Sequence, residues 1–162
     1  MPGALAFCKW LEQTPVGASV RQSLWLFPAI ETVHLLGMSV LLASIGVLDL
    51  RLMGVVRRGE SVSAVARRVL PWAWTAFSVQ VVTGGLLFSS EASHMVRNPA
   101  FRVKMLLILL AGFHALAFQV AGRRTPRPWE NGAPPAWARV AGGVSLLLWI
   151  GVVAAGRWIG FI

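Results

Sequence analysis

The sequence has 162 residues, of which 56% are hydrophobic and 13% charged, and its formal net charge is +9. A soluble domain normally carries about 25% charged residues, so this composition excludes an ordinary water-soluble domain and indicates a membrane protein. The length is that of one domain, 1–162. Because the basic residues lie at the ends of apolar runs, we expect them to contact lipid head groups and expect no nucleic-acid partner.

The first 24 residues are too polar to span a bilayer. They include the stretch A-L-A-F-C-K-W-L, which predicts a short interfacial helix with Phe7, Trp10 and Leu11 in the lipid. Lys9 and Glu12 interrupt this apolar patch and no A-x-A cleavage site follows. We therefore expect no cleavable signal peptide.

Four later segments are each long and apolar enough for a membrane span, which needs about 20 residues. They cover about residues 25–53, 72–90, 103–121 and 140–158. The predicted fold class is all-α: a polytopic membrane four-helix bundle with a short N-terminal interfacial helix over 1–24.

Two connections between these spans are rich in arginine. The first, 51–70, holds five arginines, and the second, 123–139, holds four and is also rich in proline, which predicts a loop. By the positive-inside rule, both connections face the cytoplasm and both termini face outward. Asp49 and Arg51 are expected to be interfacial charges that extend towards water.

Two histidines lie within predicted spans. His34 is nine residues from Trp25 and His114 is ten from Lys104, which predicts a depth of about 14–15 Å for both. Two imidazoles at one depth on parallel helices are typical of the axial ligands of haem iron. We therefore predict haem b bound by His34 and His114, with Glu31 orienting His34. A hydrogen-bonded polar pair without a cofactor is the alternative.

A second arrangement favours a metal ion instead. Glu31-x-x-His34 is repeated by Glu91-x-x-His94 at the outer end of the second span, and carboxylate and imidazole groups at this spacing are typical metal ligands. Met38, one turn from His34, is a candidate soft ligand for copper. The predicted alternative site thus comprises Glu31, Glu91 and His94 with His34.

A polar stripe follows one face of the second span. Its members, at 100° per residue, are Gln80, Thr83, Gly84, Leu87 and Glu91. Gln80, Glu91 and Lys104 form the predicted polar network, in which Glu31 and Glu91 would meet Lys104 near the outer interface. Such a network is either an interhelical salt bridge or a pocket for a quinone head group.

Several motifs together resemble an uncharacterised bacterial inner-membrane family of four-span proteins with a domain of unknown function. These motifs are W-L-E-Q-T-P-V-G, S-L-W-L-F-P-A-I-E-T-V-H-L-L-G, D-L-R-L-M-G, L-P-W-A-W, S-S-E-A and N-P-A-F-R-V-K-M. The layout is similar to CopD-like copper-resistance proteins and small four-helix cytochromes b, by analogy of fold. The resemblance singles out Glu31, His34, Glu91 and Lys104. The sequence departs from the family pattern at His114. In that pattern asparagine is more usual at this position, and a histidine lies near the position of Gln119.

The functional hypothesis is a small b-type haem protein of the bacterial inner membrane, with both termini periplasmic. It would pass electrons between a quinol and a periplasmic redox partner, or serve as the membrane subunit of a redox complex. A non-enzymatic membrane anchor and a copper-handling protein are the alternatives. The sequence has no phosphate loop, Cys-x-x-Cys or serine elbow, so no catalytic residue is predicted, and whether the protein is an enzyme stays open.

Overall fold

The computed structural model describes residues 2–124 and 132–161. Over these residues the chain is all-α, which confirms the predicted class. The helices are α1 (Pro2–Gln13), α2 (Pro15–Gln22), α3 (Leu26–Leu52), α4 (Val62–Arg97), α5 (Pro99–Arg124) and α6 (Ala136–Trp158), followed by a 3₁₀ turn, Ile159–Phe161. Most of the predicted proline-rich loop, including Pro126, Arg127, Pro128 and Asn131, lies outside the described residues.

Three of the described helices are long and apolar enough to cross a membrane, which makes the chain a membrane protein. They lie at Leu26–Leu52, Pro99–Ala121 and Ala136–Phe161. The predicted second span lies within α4, which is longer than these three but carries Pro71 and the polar stripe in its apolar part. By length and composition, therefore, three spans are clear where the sequence predicts four.

Helix α4 begins about ten residues before its predicted start. The side chain of Ser61 accepts a hydrogen bond from the backbone N–H of Ala64, which caps the helix at that point. The helix then continues through Pro71, as spanning helices often do. The predicted arginine-rich connection 51–70 is therefore wrong in its second half, where Arg67 and Arg68 lie on helix.

Helix α3 is the centre of the assembly. It packs against α4 on one side and α6 on another, and α5 packs mainly on α6. The core joins α3 and α4 through Leu41, Ala73 and Ala76. Because the two alanines are small, Trp149 of α6 also reaches this core, which explains a tryptophan far from either end of its helix.

The N-terminal segment forms two helices instead of the one predicted. The hydroxyl of Thr14 accepts a hydrogen bond from the N–H of Gly17, and Pro15 occupies the first turn of α2. Both helices pack on the last part of α4. Of the three side chains predicted to enter lipid, Phe7 and Trp10 are 57% and 60% exposed, whereas Leu11 is half-buried. We call this the α1–α2 end, and we call the opposite end, with the 51–61 connection, the arginine-rich end.

Candidate intramembrane site

His34 lies on α3 with its ring against α4. Its Nδ1 atom is 2.8 Å from Oγ1 of Thr83, and its backbone carbonyl accepts a hydrogen bond from Nε2 of Gln80. A Cβ atom added to Gly84 would lie 3.3 Å from Cε1 of His34, so the glycine makes room for the ring. Gln80, Thr83 and Gly84, three members of the predicted stripe, thus form the surface that receives His34.

The hydroxyl of Thr83 determines which nitrogen of His34 carries the proton. This hydroxyl donates its one hydrogen to the carbonyl of Val79, at 2.6 Å. With that hydrogen used, we infer that the hydroxyl accepts from His34 and that Nδ1 is the protonated nitrogen of the ring. In the neutral ring Nε2 then carries a lone pair, and within the described residues it makes no hydrogen bond.

Lys104 approaches the same region from α5. Its side chain crosses the face of Gly156 on α6, where an added Cβ would lie 3.5 Å from Nζ. The ammonium group is close enough to His34 to interact with its ring electrostatically. No carboxylate of the described residues lies within 4.0 Å of Lys104, so its charge has no ion pair there.

The described residues show no ion pair of Lys104 with Glu31 or Glu91. Both glutamates are exposed, and neither has a carboxylate oxygen within 4.0 Å of Nζ of Lys104. Residues three apart on a helix differ by about 60° in direction, so only His34 of the Glu31–His34 pair faces α4. The group that orients His34 is therefore Thr83. The sequence placed Thr83 on the correct face, but the hydrogen bond between helices has no signature in sequence.

His114 lies elsewhere in the protein. Its Nε2 atom is 3.0 Å from the carbonyl of Ala141 on α6. The next residue, Gly142, packs on the backbone of α3 at Asp49, where an added Cβ would lie 2.7 Å from the carbonyl oxygen. Asp49 is fifteen residues from His34 along α3, or about 22 Å.

The predicted matched depth of His34 and His114 is consequently wrong. The prediction took Lys104 as the start of its span, whereas α5 begins five residues earlier, at Pro99, and the Lys104 side chain packs on Gly156. The structure does not bring the two histidines together. One haem iron requires an axial nitrogen on each face of the same haem, so both histidines would have to lie beside it. Haem b as a cofactor of this protein stays a prediction, without this ligand pair.

The alternative metal ligands are also dispersed. Among residues 2–124 and 132–161, no group of three His, Cys, Asp or Glu side chains could hold a metal ion. Glu91 and His94 line an open groove at the α1–α2 end together with Glu12 and Arg21. Glu31 is not part of this groove.

Glu12 has a structural role that the sequence analysis missed. The backbone of Glu91 leaves helical geometry, with φ −140° and ψ 36°, and kinks α4 at that residue. The Oε1 atom of Glu12 accepts a hydrogen bond from the N–H of Ser93 at 2.6 Å, directly after the kink. This carboxylate therefore caps the last turns of α4 and holds α1 against them. No proline or glycine marks the kink in the sequence.

Asp49 and Arg51 are buried, at 4% and 0% exposure, contrary to the prediction of charges extending towards water. Nε of Arg51 donates to the carbonyl of Glu60 at 2.8 Å, because the α3–α4 connection folds back over the end of α3. Backbone carbonyls thus replace water around this guanidinium.

A comparison with protein families matches residues 7–162 to a family of unknown function, DUF6644. The chain belongs to this family. The match covers nearly the whole chain and agrees with the resemblance found in its motifs. Searches of curated proteins and of solved structures each gave no significant match. The similarity in layout to CopD-like proteins and cytochromes b therefore stays an analogy, and function must be argued from the site.

Proposed function

We propose that this member of the DUF6644 family is a four-span membrane protein that binds the head group of a quinol or quinone at His34 and Lys104. The site would lie in the half of the membrane nearer the α1–α2 end. As a quinol-binding membrane subunit, the protein would deliver electrons to a separate redox partner. This retains the quinol part of the sequence-based hypothesis and replaces the histidine pair by a histidine–lysine pair.

The packing of α4 supports its assignment as the fourth span. It lies antiparallel along α3, with Gly84 near His34, Gln80 near Gly37 and Ala76 near Leu41. A helix that accompanies a spanning helix over this length occupies the same layer. The sequence from Val69 to Ser90 contains no ionisable side chain. With four spans, the positive-inside rule favours an arginine-rich end in the cytoplasm and both termini in the periplasm.

The observation that carries the proposal is the hydrogen bond between His34 and Thr83. It leaves Nε2 of His34 as a hydrogen-bond acceptor. Lys104 is a hydrogen-bond donor with no ion pair among the described residues. A quinol hydroxyl donates its hydrogen to Nε2 of His34 and accepts on its oxygen from Lys104, so a quinol head group can satisfy both side chains. Oε1 of Gln80, buried without a partner in the described part of the chain, is a further acceptor at this level.

The energetic cost of Lys104 supports a functional role. Lys104 is the sixth residue of α5, and an ionisable residue inside a spanning helix carries an insertion cost, so such residues normally have a partner or mark a ligand site. With Glu31 and Glu91 both exposed, an oxygen-rich ligand is the partner that fits this environment.

The test is a titration of the purified protein, in detergent, with a short-chain ubiquinol analogue followed by tryptophan fluorescence. We expect saturable binding that weakens at least tenfold in His34→Ala and in Lys104→Gln, about 1.4 kcal/mol per variant. Lys9→Gln, which removes an exposed lysine of the α1–α2 end, is the matched control and should bind as the wild type does. Equal affinities in all four proteins would refute the proposal.

A further inference from the structure

A pocket of about 360 Å³ lies at the arginine-rich end, between the end of α3 and the start of α6. Three arginines line it together with small and apolar residues. The arginines are Arg51, Arg58 and Arg139, and Met53, Gly54 and Pro134 are among the other lining residues. The pocket is far from the quinol site, since α3 separates His34 from Arg51 by seventeen residues, or about 25 Å.

Arg51 forms the buried wall of this pocket. Its side chain donates to the carbonyl of Glu60 at 2.8 Å and approaches the carbonyl of Gly132 at 3.5 Å. The guanidinium group therefore joins the α3–α4 connection to the segment that precedes α6. These contacts fix a positive charge at the base of a pocket that opens at the membrane surface.

Glu60, the acidic side chain of the α3–α4 connection, pairs with arginines outside the pocket. Oε1 of Glu60 accepts from Arg57 at 2.7 Å, and Oε2 lies 3.1 Å from Arg68. The hydrogen bond from Arg57 lowers the pKa of the Glu60 carboxyl, so this group is ionised and paired at neutral pH. In the described part of the chain, Arg58 and Arg139 have no carboxylate within 4.0 Å.

The start of α6 adds positive potential. The helix has 23 residues, no acidic residue in its first turn and no side chain that caps its first amides. Its N-terminal dipole therefore adds to the charge of Arg139, which lies in the first turns. Three guanidinium groups line one opening close to the start of α6, which favours a ligand with several anionic oxygens.

We propose that this pocket binds a phosphate group, and that the phosphodiester of an anionic phospholipid head group is its source in the membrane. Basic pockets at the ends of spanning helices are suited to anionic lipids, because the glycerol and acyl chains remain in the bilayer while the phosphate reaches the arginines. Guanidinium groups bind phosphate oxygens in a bidentate manner, so Arg58 and Arg139 would hold the head group against Arg51.

Native mass spectrometry of the detergent-solubilised protein, with added phosphatidylglycerol or phosphatidylcholine, tests this proposal. The informative variant is Arg58→Gln/Arg139→Gln, since both side chains are exposed, although Nε of Arg58 donates to the carbonyl of Gly54 at 2.6 Å. The control is Arg67→Gln/Arg68→Gln, which removes the same charge from exposed positions of the same end outside the pocket. A parallel titration with inorganic phosphate examines the free anion as the source.

We expect phosphatidylglycerol to bind at least tenfold more tightly than phosphatidylcholine, and this preference to disappear in the Arg58/Arg139 variant but not in the control. Saturable binding of inorganic phosphate that depends on the same two arginines would also support the site and assign the free anion as its ligand. No preference for an anionic lipid and no phosphate binding would overturn the proposal. An equal loss in both double variants would also overturn it, because the effect would then be one of overall charge.

Discussion

Nδ1 of His34 and Oγ1 of Thr83 are 2.8 Å apart, and this contact joins the two helices at the candidate site. Because the threonine hydroxyl donates to its own helix at Val79, the histidine is held in one tautomer. The contact therefore has two consequences, one for the packing of α3 against α4 and one for the chemistry of the Nε2 atom. Each can be measured separately.

Replacing Thr83 by valine keeps the shape of the side chain and removes the hydrogen-bond acceptor. We expect the thermal midpoint in detergent to fall, because a hydrogen bond between membrane helices contributes about 0.6 kcal/mol on average. Quinol affinity should fall as well, because the tautomer of His34 is no longer fixed. The matched control is Thr75→Val, since the Thr75 hydroxyl is exposed and bonds only to Pro71 within α4. A loss of affinity equal to that of Thr75→Val would show that the contact does not prepare His34.

The contact between α3 and α6 depends on Gly142. A methyl group at this position would lie 2.7 Å from the carbonyl oxygen of Asp49 and 3.1 Å from Cβ of Leu52, so the helices must separate. We expect Gly142→Ala to lower the free energy of unfolding by about 1–3 kcal/mol. The neighbouring Gly143→Ala meets nothing within 4 Å and should be neutral or slightly stabilising. Thermal unfolding followed by circular dichroism distinguishes them; equal midpoints for the two variants would contradict the packing described.

The bond from Ser93 to Glu12 holds the N-terminal helices on the kink of α4. Glu12→Ala should weaken this attachment by about 1 kcal/mol, as for the loss of a helix cap. Cys8 is 3% exposed and is the only cysteine, so its rate of reaction with a maleimide reports how often α1 detaches. We expect the rate to rise by about fivefold.

Glu31→Ala is the control for the Cys8 measurement, because Glu31 is exposed and makes no ion pair among the described residues. Its labelling rate should equal that of the wild type. Unchanged labelling in Glu12→Ala would mean that the carboxylate does not hold α1 in place.

The fold was predictable where burial in lipid dominates and less so where polar groups pair within the protein. The apolar runs predicted α3, α5 and α6 to within a few residues, because length and hydropathy alone decide a span. The ends of α4 were not predicted. Ser61 caps the helix within segment 51–70, which its five arginines indicated to be a connection between spans. The position of Lys104 in its span was not predicted for a related reason: a cation usually lies at the membrane interface, whereas Lys104 lies five residues after the start of α5.

The candidate site was predicted only in part. The helical period placed Gln80, Thr83 and Gly84 on one face, and this face does receive His34. Which residues of other helices meet that face depends on axial offset and rotation, which a single sequence does not encode. For this reason the sequence-based prediction wrongly placed His114 at the same depth as His34 and placed Glu31 in the interior.

The assignment of α4 as a span predicts that its two ends lie on opposite sides of the membrane. In a Cys8→Ser background, Gly59→Cys and Arg97→Cys place single thiols at exposed positions, one before α4 and one at its last residue. A membrane-impermeant maleimide applied to intact cells should label position 97 and not position 59. Lysed cells should show labelling at both. Labelling of both positions from the same side would leave three spans.

Photochemical cross-linking with an azido-ubiquinol, followed by peptide mapping, locates the bound head group in the protein. We expect saturable cross-links on α3, α4 and α5 around His34, Thr83 and Lys104, which excess unlabelled quinol suppresses and Lys104→Gln abolishes. Cross-links that do not saturate, or that map to the lipid-facing sides of α5 and α6 and are unchanged in Lys104→Gln, would contradict the proposed quinol site.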